Sequence, residues 1–156
     1  MNLKRNSIIY CITAAAALAM TSCSRLPIYS QYQHIDSEGW EKTDTLHFTI
    51  PVKQQGQYDI QLGMRTDSYY PYTQVKVVVN QKTQKTLTEH TDTLTIDITD
   101  TEGNIQGKGL SIYQYSFPLH QVILNDDDSL TVNIFHCMKR SPLPGINDIG
   151  IIVKPY

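Results

Sequence analysis

Residues 58–65 read Tyr-Asp-Ile-Gln-Leu-Gly-Met-Arg, setting Tyr58, Ile60, Leu62 and Met64 against Asp59, Gln61, Gly63 and Arg65. Side chains of a β-strand alternate between two faces, so this period of two marks a strand with one buried face. Upstream, Leu46, Phe48 and Ile50 alternate with Thr45, His47 and Thr49, and Pro51 closes the run. Downstream, Val75, Val77 and Val79 precede a polar turn over residues 80–86, and Leu94, Ile96 and Ile98 alternate with threonine and aspartate. Residues 100–111 are Gly-rich and irregular; 113–117 and 119–124 read as strands around Pro118. Asn125-Asp-Asp-Asp-Ser129 reads as a solvated hairpin loop. Leu130, Val132, Ile134, His136 and Met138 then share one face, residues 141–145 (SPLPG) break the chain, and Ile149, Ile151 and Val153 form a last strand. Seven or eight short strands without an amphipathic helix predict an all-β chain: a single antiparallel two-layer β-sandwich, immunoglobulin-like or jelly-roll in order.

The sandwich follows a different kind of segment. Lys4 and Arg5 form a basic head, residues 8–20 (IIYCITAAAALAM) an uncharged apolar run, and Thr21-Ser22 precede Cys23. That is the order of a secretory signal. The run is too short to span a bilayer, which takes about 20 residues. A cysteine directly after small residues resembles the lipobox of bacterial lipoproteins, so Cys23 is the expected lipid-attachment site. The expected organisation is a lipoprotein signal peptide over 1–22, a lipidated tether over 23–39 and a β-sandwich domain over 40–156. Within the tether, Ile28, Tyr29, Tyr32 and Ile35 offer apolar contacts to the domain. Trp40, the one tryptophan, reads as a core plug.

Composition narrows the function. Lys4 and Arg5 leave with the signal, reducing 13 basic residues to 11 against 15 acidic ones. A mildly acidic domain argues against a nucleic-acid partner. Of the three cysteines, Cys11 lies in the signal and Cys23 takes lipid, so Cys137 has no intrachain partner for a disulfide.

No arrangement of residues points to catalysis. There is no G-x-S-x-G turn, and Cys137 lies on a strand, where a thiol reads as a packed small residue. The five histidines lack metal-ligand spacing; His120 and His136, on neighbouring strands, are the pair that could meet around zinc. Residues 97–104 (DITDTEGN) have the acids and glycine of a calcium loop without its closing glutamate, and read as a turn. No metal, cofactor or small-molecule substrate is expected. Tyr69, Tyr70 and Tyr72, in the YYPY run, are the candidate protein-interaction loop, since exposed tyrosines bury well at interfaces. The Gly/Pro-rich stretches near Gly107 and Pro144 are further candidate surfaces.

Several stretches together resemble the GldH-type gliding-motility lipoproteins of Bacteroidetes. They are Tyr29-x-x-Tyr32, Gly39-Trp40, Asp44-Thr-Leu-His-Phe48, Tyr58-Asp59, Tyr70-Pro-Tyr72, Gly107-Lys-Gly109 and Leu143-Pro-Gly-Ile146-x-Asp148-x-Gly150. The resemblance implies an outer-membrane lipoprotein facing the periplasm, linked to gliding machinery and, through partners, to the type IX secretion apparatus. It implies no enzymatic activity and no catalytic residues. Ser24-Arg25-Leu26 after Cys23 lacks both an acidic surface-export run and an inner-membrane-retaining aspartate, consistent with the inner leaflet of the outer membrane. The expected partners are the membrane and envelope proteins. The second reading is a glycan-binding lipoprotein of a polysaccharide-uptake system, which would need coplanar exposed rings on one face.

Overall fold

The computed structural model describes residues 26–156. Cys23 and the signal segment lie outside the described residues. Among the described residues there are nine strands: β1 (Tyr29–His34), β2 (Leu46–Val52), β3 (Gly56–Asp67), β4 (Gln74–Thr83), β5 (Glu89–Asp97), β6 (Ile112–Pro118), β7 (Val122–Leu124), β8 (Asp128–His136) and β9 (Ile146–Pro155). They form two antiparallel sheets, β1-β9-β3-β6 with β7 also on β3, and β2-β8-β4-β5. β6 and β7 pair with the two halves of β3 and so make one interrupted edge strand. Counted that way, eight strands wrap between the sheets in jelly-roll order, which resolves the alternative left by the sequence.

The alternating residues become the core. Ile60, Leu62 and Met64 of β3 and Ile149, Ile151 and Val153 of β9 face Phe48 and Ile50 of β2 and Leu130, Val132 and Ile134 of β8, all at 2% exposure or less. Each such side chain contributes roughly 1.5–3 kcal/mol through burial.

Four details differ from the sequence reading. β1 lies inside the segment read as tether, pairing with β9 from Tyr29↔Val153 to His34↔Asp148. β4 runs through to Thr83 instead of turning at Asn80, because buried polar groups there have partners: Gln81 donates to the His120 carbonyl (3.1 Å), and the Thr83 hydroxyl accepts from Thr88 N–H (3.0 Å). Residues 125–127 are not a hairpin but a crossing, since β7 and β8 belong to different sheets. Asp128 is therefore buried instead of solvated. Its carboxylate accepts the N–H groups of Lys85 (3.0 Å) and Ser129 (2.7 Å), which hold its pKa below the usual range despite the opposing effect of burial.

Strand direction alternates so that the two ends differ. One end carries 35–45, 68–73, 98–111 and 137–145, connections of 6 to 14 residues. The other carries 53–55, 84–88 and 125–127, connections of 3 to 5 residues, together with the start of β1 and the end of β9. We call these the long-loop and short-loop ends.

Candidate interaction surface

The long-loop end is built around Trp40, 1% exposed, which plugs the space beneath residues 35–45. Its backbone forms a two-bond bridge with Leu143 (2.9 and 2.8 Å), and its indole N–H donates to the Asp44 carbonyl at 2.9 Å. His136, fully buried, packs edge-on against the indole at 5.2 Å. Its Nε2 lies 2.9 Å from the Trp40 carbonyl and its Nδ1 3.3 Å from the Met138 N–H. Nε2 must therefore donate and Nδ1 accept, which is the neutral Nε2–H tautomer. Burial lowers the pKa of His136, with the Trp40 carbonyl acting the other way.

Residues 68–73 join the same assembly. Tyr70 is 9% exposed, donates from its hydroxyl to the Gln74 carbonyl (2.8 Å), and meets Tyr72 edge-to-face at 5.8 Å. Burial, then the neighbouring Tyr72, push the Tyr70 phenol well above its ordinary value. Gly145, at φ +80°, lets the chain lie directly on Tyr70; a Cβ there would stand 2.5 Å from the Tyr70 backbone. The Gly145 carbonyl also accepts the Asp67 N–H at 3.0 Å.

The candidate tyrosines thus have different places. Tyr70 is a structural plug, Tyr72 is half-buried against it, and Tyr69 is 83% exposed at the loop tip. Nearby, residues 98–111 project Leu110 (93% exposed) and Ile105, and Ile112 at the start of β6 adds a third exposed apolar side chain. Gly39-Trp40, Tyr70-Pro-Tyr72 and Leu143-Pro-Gly145, apart in sequence, all converge here.

Beside this end, the outer face of the first sheet carries a cluster the sequence reading missed. Tyr32, Gly150, Gly63 and Ser116 form one row across β1, β9, β3 and β6. The two central glycines leave a trough, and the Tyr32 ring lies where either Cβ would stand. In the adjacent row, Arg65 stacks over that ring at 4.1 Å, with its Nη1 3.6 Å from Asp148. Asp148 in turn lies 3.1 Å from His34 Nδ1. The available signal was a pair of glycines at outward positions of strands, where a polar side chain is the usual occupant.

The histidine pair considered for zinc is separated. His120 stacks on His90 at 4.1 Å beside a hollow of about 360 Å³ on the flank between β5 and β7, whereas His136 sits under Trp40. Among the described residues no group of three or more His, Cys, Asp or Glu side chains is placed to hold a metal ion. In the turn after Asp97, the Asp100 carboxylate accepts N–H groups from Glu102, Asn104 and Gln106, and these bonds, that of the Asn104 side chain foremost, lower its pKa. The strongly exposed rings Tyr69 and Tyr156 lie at opposite ends, so they form no shared platform.

Residues 27–153 match the model of the GldH lipoprotein family. The chain belongs to that family. Membership makes it a membrane-anchored lipoprotein, and the GldH lipoproteins are not known as an enzyme family. No curated protein matches the sequence. Similar solved structures include a family GH115 4-O-methyl-alpha-glucuronidase with specificity for decorated arabinogalactans (TM-score 0.45, 11% identity, 86% of this chain covered). Others are a protein from Sulfurospirillum deleyianum (0.42, 9%, 82%, and 98% of that chain) and a CocE/NonD family hydrolase from Staphylococcus aureus (0.39, 10%, 85%). The chain spans 18% of the glucuronidase and 32% of the hydrolase, and likenesses at these TM-scores carry no argument about activity.

Proposed function

We propose that this GldH-family protein is an outer-membrane lipoprotein, lipidated at Cys23 and facing the periplasm, that serves as a non-catalytic component of gliding-motility and type IX secretion-associated envelope machinery. The observation that carries the reading is the family match, which begins at residue 27, four residues beyond a lipobox-like cysteine, and runs through the sandwich. The long-loop end supports the choice of contact surface. Its backbone is fixed by Trp40, His136 and Tyr70, while Tyr69 and Leu110 stand free above that base. A rigid base presenting exposed apolar side chains is suited to protein contact, since little order is lost on binding. The partner is an envelope protein; neither nucleic acid nor a small-molecule substrate is expected.

Affinity capture from detergent-solubilised envelopes after mild crosslinking tests the reading. Recovery of other motility or secretion components supports it, and recovery of the lipoprotein alone contradicts it. Mass analysis of the mature N-terminus should find an acylated Cys23. Protease treatment of intact cells should leave the domain protected; digestion would instead favour surface display and glycan capture.

A further inference from the structure

We propose that the short-loop end is a bilayer-docking face, which holds the sandwich upright on the membrane instead of leaving it to swing from its tether. The inference rests on the lipidation of Cys23 proposed above. Five large apolar side chains stand out from this end: Leu26 (82% exposed), Ile28 (47%), Leu87 (72%), Ile123 (70%) and Tyr156 (65%). Pairing brings Ile28, Ile123 and Tyr156 to within two residues of one level. The Ile28 N–H donates to the Val153 carbonyl, the Tyr156 N–H donates to the Gln57 carbonyl, and Gln57 stands opposite Ile123. Leu87 occupies the tip of the β4–β5 turn at φ +52°, a conformation that suits Gly or Asn. A leucine there is strained and covers no core, so its apolar surface is free for another occupant.

Covalent reach selects that occupant. Leu26 is three residues from Cys23, so at roughly 3.6 Å per residue the lipid attachment point is at most about 11 Å away. Any lipid on Cys23 therefore brings the bilayer surface to this end. Charge offers no attraction to anionic headgroups, because Lys53, Lys82, Lys85 and Lys154 are outnumbered by Asp59, Glu89, Asp126, Asp127 and the buried Asp128. Shallow insertion of apolar tips, not attraction to anionic headgroups, is the force that fits. β3, 12 residues long, spans about 40 Å at roughly 3.3 Å per residue, so docking would hold Tyr69 and Leu110 about that far from the bilayer.

The test uses the full lipidated protein in phosphatidylethanolamine/phosphatidylglycerol vesicles containing lipids brominated near the headgroup. Trp40, buried at the far end, supplies the background fluorescence. Leu87→Trp and Ile123→Trp should each be quenched several-fold more than Leu110→Trp. Equal, weak quenching at all three positions would overturn the proposal. Flotation with vesicles, lost in Cys23→Ser, reads the anchor separately. Flotation without quenching refutes docking and leaves lipidation standing, whereas failure to float removes both. A concentration-dependent dimer in detergent that Leu87→Asp abolishes would assign the face to a second copy and also overturn the proposal.

Discussion

Both ends of the sandwich expose apolar side chains, but they differ in what lies beneath them. At the long-loop end, Ile35, Trp40, Tyr70, Leu143 and Ile146 turn inward and lock three connections together. At the short-loop end, the connections are too short to fold over anything, and Leu87 and Ile123 face outward. Long loops are normally the mobile parts of a sandwich. Here they have an internal framework of their own, in which aromatic side chains carry the packing and their polar atoms satisfy carbonyls: Trp40 that of Asp44, Tyr70 that of Gln74. Aromatic loop packing is therefore concentrated at the end proposed for protein contact, and the end proposed for attachment has none of it.

The largest expected effect is at the centre of the locked end. Trp40→Ala should destabilise the domain by about 3–5 kcal/mol in urea unfolding, as for other buried large-to-small changes. A loss under about 1 kcal/mol would mean that the loops are not held by the indole. Gly145→Ala comes next. It combines a left-handed φ with overlap on the Tyr70 backbone and should cost about 2–4 kcal/mol.

Proton linkage at His136 should be smaller. Its folded pKa lies below the ordinary value of 6.5, so the unfolded chain binds the proton more readily and stability rises with pH. The contribution is complete above about pH 6.5 and is lost as pH falls below it, with a slope of at most about 1.4 kcal/mol per pH unit. Unfolding midpoints at pH 7.5 and 5.5 check this, and the difference should shrink in His136→Phe. An unchanged difference would place the titration elsewhere.

The smallest effect belongs to the other end. Leu87→Gly relieves an unfavourable φ and exposes no core, so stability should change by no more than about 1 kcal/mol, in either direction. A loss comparable to Trp40→Ala would abolish the contrast between the ends.

Legibility in the sequence followed the same division. Strands with a buried apolar face could be read directly: the residues from Tyr58 to Met64 and from Leu130 to Ile134 that alternate in sequence alternate in burial, except at Gly63, which Tyr32 covers from outside. β1 could not, because YSQYQH lies at a sheet edge, where Gln33 is half-covered, Gln31 is exposed and hydrophobic alternation fades. Gln81, Thr83 and Asp128 were missed for a related reason, since a polar residue can be buried where hydrogen bonds hold it, as they hold the Gln81 amide, the Thr83 hydroxyl and one carboxylate oxygen of Asp128. At the candidate surface, Trp40 was recognisable as a plug. Tyr69 and Tyr70 were not separable, because neighbouring residues on an irregular loop have no period to assign their directions. The Tyr32 trough depends on register between β9 and β3, which no local pattern encodes.

Site-specific photocrosslinking in living cells tests the account most directly. A photoreactive residue would be placed at Tyr69, at Leu110, on the outer face of β2 at Thr49, and at Leu87. The account predicts discrete adducts with an envelope protein from Tyr69 and Leu110, none from Thr49, and lipid rather than protein adducts from Leu87. Protein adducts from Leu87 with none from the long-loop end would contradict it.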